Sequence, residues 1–181
     1  SNMVIPKIDD NLTRSNTLII PDVCPCCNSK AEVKYTDNSK FLMCTNPNCS
    51  AKLLAGFTHF VSRNCANIDG LSEKTLEQLI SARFLYTYRD IYHLSEHKDK
   101  LTQLEGLGEK SVSTLLKSIE KSRDIKLENF IAALGIDGIG KSAAKTISNA
   151  FKGDINAVLI AFKTGYDWST LDDFGSITAK N

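Results

Sequence analysis

The chain has 181 residues, 42% of them hydrophobic and 24% charged, with a formal net charge of +1. That composition suits a globular protein of one domain or two small ones, and it excludes a disordered or fibrous chain. Near neutrality also excludes nucleic-acid binding through a general basic excess, so any phosphate contact has to come from local geometry.

No stretch approaches the ~18 apolar residues that a membrane span needs. The start, Ser1-Asn2-Met3, lacks the basic and apolar regions of a signal peptide, and Ser1 and Asn2 read as a cloning scar. A reducing cytoplasm is the expected setting, where clustered cysteines bind metal more often than they form disulfides.

Residues 4–21 read as a mostly extended lead-in. Residues 22–55 hold five of the six cysteines, in CPCCNSKAEVKYTDNSKFLMCTNPNC. Val33, Tyr35, Phe41, Leu42 and Met43 are the only sizeable apolar groups between the outer cysteines. They cannot bury enough surface to offset the entropy of ordering the backbone, so something other than a hydrophobic core must close the segment.

Cys24, Cys27, Cys44 and Cys49 give C-x2-C, sixteen intervening residues, then C-x4-C. This is close to the two-knuckle spacing of a four-thiolate zinc site, in which two short turns converge on one tetrahedral ion. The metal would then supply the folding energy that the composition lacks. Cys26 is the alternative to Cys27, but a C-x-C pair turns more tightly than the usual knuckle, so Cys26 is read as a bystander. A metal-free loop or a disulfide pair is the plain alternative. Between the knuckles, AEVKY and KFLMC alternate apolar and polar residues around a polar T-D-N-S turn, which predicts a small β-hairpin.

From Gly56 onward helical spacing takes over, with helices expected near 57–67, 73–83, 109–122, 126–134, 140–150 and 154–162. Cys65 sits in an apolar pattern and reads as a small buried hydrophobe. His93 and His97 form H-x3-H, but they lie far from the thiolates and read as surface or satisfied residues.

Four phrases repeat: IDGLSEKTLEQLI from Ile68, LEGLGEKSVSTLL from Leu104, IDGIGKSAAKTIS from Ile136 and LDDFGSITAKN from Leu171. Their third positions, Gly70, Gly106, Gly138 and Asp173, are 36, 32 and 35 residues apart. Each phrase predicts a helix, a tight hairpin and a second helix. The glycines allow positive φ and close approach of a partner, while Leu71, Leu107, Ile139 or Phe174 anchors the turn in the core. A helix N-terminus with bare amides is an anion site that a backbone phosphate fits whatever the base sequence.

Lys74, Lys110 and Lys141 stand where an ammonium reaches the same phosphate. The candidate DNA-binding residues are therefore Gly70, Lys74, Gly106, Leu107, Gly108, Lys110, Gly138, Ile139, Gly140 and Lys141. Ser72 replaces the second glycine of the first copy and Asp173 the first glycine of the last, so Gly106–Lys110 and Gly138–Lys141 are expected to bind most strongly. Chain end Asn181 falls within the second helix of the fourth copy, so the chain reads as truncated. The repeats form two pairs, 56–122 and 123–181. The alternative is a helical protein-interaction scaffold whose glycines are only turns and C-caps.

A four-cysteine zinc element followed by helix-hairpin-helix copies resembles the C-terminal half of bacterial NAD-dependent DNA ligases. VIPK at Val4–Lys7, IIPDVCPCC, CTNPNCSAKL and HFVSR at His59–Arg63 are similar to that family's phrases. The resemblance implies a mainly α fold of tandem helix-hairpin-helix repeats preceded by a small four-cysteine zinc finger. It implies a monomer that grips the backbone of nicked double-stranded DNA, with structural zinc held here.

In that family a lysine in a K-x-D-G motif is adenylated by NAD, and NAD and Mg would serve only the full-length enzyme. Lys7-Ile8-Asp9-Asp10 departs from the motif at Asp10 and reads as linker, so the fragment should be inactive alone. A non-enzymatic zinc and helix-hairpin-helix module of a repair accessory protein is the alternative.

Overall fold

The computed structural model describes residue 12, residues 19–36, residues 39–172 and residue 174. The start and most of the lead-in, Val4–Lys7, the Lys7–Asp10 sequence, Asp173 and residues 175–181 lie outside the described residues. The chain divides into two compact units, Ser1–Cys49 and Ser50–Asn181.

The first unit is a two-stranded antiparallel ribbon, β1 (Ala31–Thr36) and β2 (Ser39–Cys44), paired from Ala31 with Cys44 to Thr36 with Ser39. An isolated bridge between Val23 and Lys30, with the Ala31 amide donating to the Asp22 carbonyl at 2.7 Å, continues the pairing towards the first knuckle. The ribbon buries little: Tyr35 is 70% exposed, Leu42 43% and Phe41 41%. A ribbon this open lacks a core of its own, as the composition implies.

The second unit is helical. Its main helices are α1 (Ser50–Val61), α2 (Glu73–Ser81), α5 (Glu109–Lys121), α6 (Leu127–Ala133), α7 (Lys141–Ala150) and α8 (Ile155–Thr164). Between α2 and α5 lie the short α3 (Tyr88–Ile91), a 3-10 turn at Leu94–His97 and α4 (Lys98–Leu101). Phe57, Phe60, Leu76, Leu79, Leu85, Ile91, Leu94, Leu101, Val112 and Leu115 form the fully buried centre.

The first helix begins at Ser50 and ends at Val61, where spacing alone predicts 57–67. The reason is Gly56. It reads as a boundary but sits inside the helix, where a Cβ would stand 3.0 Å from the Tyr88 hydroxyl. The missing side chain lets Tyr88 approach and stack on Phe60, ring centroids 4.4 Å apart, with Phe57 edge-on at 5.5 Å. Past Val61 the chain closes in turns, with the Ala66 amide on the Phe60 carbonyl and the Ile68 amide on the Val61 carbonyl.

The second copy uses a tight turn in which the Leu107 amide donates to the Leu104 carbonyl at 3.0 Å. The third does the same from Ile139 to Ile136 at 2.9 Å, and the fourth from Phe174 to Leu171 at 3.1 Å. Gly106 and Gly138 both take φ +78, as the third position of a type II turn demands. Leu71, Leu107, Ile139 and Phe174 are all buried, so each turn is pinned by its central apolar side chain.

Gly70 combines φ +96 with a would-be Cβ 3.4 Å from the Leu115 Cβ of α5. Gly70→Ala should therefore lower stability by about 1–3 kcal/mol. Denaturant unfolding checks this, and a midpoint unchanged from wild type would refute it.

Candidate metal centre and candidate anion-binding turns

Cys24 and Cys27 flank the first knuckle, which is closed by the Cys24 amide on the Ser29 carbonyl (2.8 Å) and the Asn28 amide on the Cys24 carbonyl (2.9 Å). Asn28 sits at φ +54, a left-handed position that asparagine tolerates better than most side chains. Cys44 ends β2, and Cys49 follows a turn held by the Asn48 amide on Asn46 Oδ1 at 2.9 Å. The hairpin register thus carries one knuckle to the other.

Cys24 Sγ lies 3.9 Å from Cys49 Sγ and Cys27 Sγ 3.5 Å from Cys44 Sγ, with all four sulfurs within 4.8 Å of one another. A tetrahedron with metal–sulfur bonds near 2.3 Å has edges of about 3.8 Å. The four cysteines can therefore hold a metal ion, and the donor set fits a thiophilic one. Cys26 is exposed and outside the cluster.

The surroundings favour the ligating form at the first knuckle. Backbone amides of Cys26 and then Cys27 draw the Cys24 pKa down. The Ser29 side chain and then its amide bring Cys27 down to about 6. Desolvation, with the neighbouring thiols, pushes Cys44 up to about 12, so a bound cation is what would deprotonate Cys44.

His93 and His97 have partners within the helical unit. His93 Nδ1 pairs with Glu96 Oε1 at 2.7 Å, which lowers the Glu96 pKa, and Arg89 Nε donates to its Nε2 at 3.4 Å. The His97 ring lies 5.3 Å from that of Phe84. Cys65 is buried, as its apolar neighbours imply.

The three described helix N-termini after the turns differ in how their amides are used. Ser72 caps α2: its Oγ accepts from the Thr75 amide at 3.2 Å and bonds the Thr75 hydroxyl at 2.8 Å. The Asp69 amide donates to Ser118 Oγ of α5 at 2.8 Å. The first turn therefore spends donors on the protein itself, and Gly70 is packed against α5.

The N-caps of α5 and α7 are Gly108 and Gly140, extended residues with no side chain to accept from the amides that follow. Gly106, Gly108, Lys110, Gly138, Gly140 and Lys141 are all exposed. A Cβ added at Gly106, Gly108 or Gly140 would meet nothing within 4 Å, so a partner can approach these backbones closely.

The two open turns are not equivalent. Lys141 is the first residue of α7, whose first turn carries no acid, whereas α5 begins with Glu109 and has Lys110 second. A carboxylate at the N-terminal end of a helix stabilises the macrodipole but competes with an incoming anion. Sequence reading ranked the second and third copies above the first, because of Ser72, and did not separate Lys110 from Lys141. It missed Glu109, a charge visible in the phrase itself, and the Ser118 bond, which follows only from packing.

Residues 64–121 match the family described as SAM-like helix-hairpin-helix tandem. A DNA ligase of Lachnoclostridium phytofermentans is 46% identical over 158 residues, which is 87% of this chain and 24% of the relative. The chain is homologous to a segment of DNA ligases. The ligase of Ruminiclostridium cellulolyticum is 44% identical over 158 residues, covering 87% and 24% of the two proteins. That of Oceanobacillus iheyensis is 47% identical over 154 residues, covering 82% and 22%. The chain thus spans about a quarter of the length of the curated relatives it matches. Among the described residues, no helix is long and apolar enough to cross a membrane.

If the sulfur cluster is the metal centre, Cys49→Ser should abolish metal retention and collapse the ribbon, while Cys26→Ser leaves one metal per chain. Elemental analysis with amide exchange across β1 and β2 checks both, and metal loss from Cys26→Ser would move the ligand set.

Proposed function

We propose that this chain is the non-sequence-specific duplex-binding portion of an NAD-dependent DNA ligase that seals nicks in DNA replication and repair. The observation that carries the reading is the pair of open, glycine-capped helix N-termini at Gly106–Lys110 and Gly138–Lys141, on a chain homologous to ligases. Each presents unpaired amides and a lysine to one phosphate oxygen cluster, which gives binding without sequence preference and without a large net charge. Leu107 and Ile139 act as buried anchors that hold the backbone in place, rather than as contacts. Gly70 and Lys74 contribute less, because Ser72 and Ser118 already engage donors of the first turn.

The division of labour proposed for the chain follows the domains expected from sequence. The lead-in at 4–21 ends an oligonucleotide-binding domain, 22–55 is a zinc finger, and 56–122 and 123–181 are two helix-hairpin-helix pairs. Zinc is the proposed occupant of Cys24, Cys27, Cys44 and Cys49, in a structural role with no open coordination position. NAD and Mg belong to parts of the ligase outside this chain, where adenylation of a lysine, AMP transfer to a 5′-phosphate and sealing by a 3′-hydroxyl take place. The chain itself acts as a cytoplasmic, monomeric clamp element on nicked double-stranded DNA and does not ligate.

Binding to random duplex should follow the release of counterions, with a log–log salt slope of roughly −2 to −4 for two to four neutralised phosphates. Lys110→Glu and Lys141→Glu should each flatten that slope by about one and weaken binding, with Lys141→Glu the more damaging and Lys74→Glu the least. Fluorescence anisotropy titrations at several salt concentrations test this. Binding that is indifferent to salt and to all three changes would leave a protein-interaction scaffold as the better reading.

A further inference from the structure

We infer that His59 is a positioning residue that fixes the third hairpin relative to the second, an inference resting on the reading of those hairpins as the phosphate-binding turns. His59 lies in the last turn of α1, and its Nε2 stands 2.8 Å from the carbonyl oxygen of Ala132, 73 positions along the chain. A carbonyl oxygen only accepts, so Nε2 carries the proton of this bond. Cys65 Sγ, 3.7 Å from the same nitrogen, borders the ring on the α1 side.

The acceptor is the critical part. Helix α6 has seven residues, too few to hold its shape without tertiary support, and the carbonyls of its last turn lack helical partners. Ala132 O receives the Gly135 amide at 3.2 Å, with Gly135 at φ +64 closing the helix. The imidazole supplies the second donor from across the fold. Its Cδ2 lies 3.4 Å from where a Cβ on Gly135 would stand, so the ring also occupies the side of the helix end.

The turn from Ile136 to Ile139 begins at the next residue, and Gly140 opens α7 directly after it. His59 thus holds the base on which the third anion-binding turn stands, from a helix that packs against α2 of the first pair through the core around Phe57, Phe60 and Leu76. Two turns on one frame engage two phosphates of one duplex as a bivalent unit. That gain exists only while the spacing between them is kept.

The test compares wild type, His59→Ala and His59→Gln by anisotropy with a random duplex and by amide hydrogen exchange without DNA. A glutamine can place an N–H where Nε2 stands, and alanine cannot. His59→Ala should bind about tenfold more weakly, with faster exchange at residues 139–144 and unchanged exchange at 107–112; His59→Gln should restore both to near wild type. Should His59→Ala not fold, His59→Asn, with an amide one bond too short to reach Ala132, takes its place.

Unchanged exchange at 139–144, equal acceleration at both turns, or a glutamine variant that behaves like alanine would each overturn the inference. Absence of salt-sensitive duplex binding by wild type would instead sink the functional reading, and the exchange pattern would still decide whether the histidine positions the turn.

Discussion

Two helices of the second unit, α5 and α7, begin at glycine N-caps, so no cap side chain accepts from their first amides. An N-cap serine, threonine, aspartate or asparagine is worth about 1 kcal/mol to a helix relative to alanine, and glycine recovers all but a few tenths of it while leaving the amides to water. Two of the three described helices that follow the repeat turns, α5 and α7, forgo the side-chain cap. The third, α2, keeps it through Ser72, and its turn is the one packed against another helix. Stability and openness are therefore distributed oppositely over copies of one motif, as expected where donors are kept for an external partner.

What permits this is the buried apolar residue in the middle of each turn. Leu107 and Ile139 lose almost all solvent contact while the residues on either side of them stay exposed. A turn held only by its i to i+3 hydrogen bond would fray; one pinned by a core side chain presents its amides at a fixed angle. The first unit solves the same problem by other means. Its strands leave Tyr35, Phe41 and Leu42 largely in water, and convergence of four sulfurs takes the place of a core.

Much of this was legible in the sequence because the signals are local. The C-x2-C and C-x4-C knuckles, the alternation of AEVKY and KFLMC, and the Gly-apolar-Gly turns each encode their structure within a few residues. The four sulfurs, the hairpin and three i to i+3 turns stand where those patterns place them. What was not legible depends on distant partners. Gly56 looks like a helix boundary until Tyr88 is seen to need the space above it. Residues 88–101 break into short α and 3-10 turns that no clear periodicity announces. The Asp69 amide is spent on Ser118, 49 residues away, so Ser72 alone marks the first turn as the weaker one until α5 is packed against it.

The inequality between the two open turns has a physical consequence for how an anion would be held. At α7 the lysine occupies the first helical position and the first turn of the helix carries no acid, so within that turn amides, dipole and ammonium act with one sign. At α5 the carboxylate of Glu109 precedes Lys110, and much of the lysine charge goes to offsetting it. An anion therefore finds a deeper well at the third turn and a shallower one at the second. With a net charge of only +1 over the whole chain, long-range attraction is weak and the order of contact is set by these short-range wells. On the proposed reading, the shallow second well would release and recapture a phosphate more readily than the deep one.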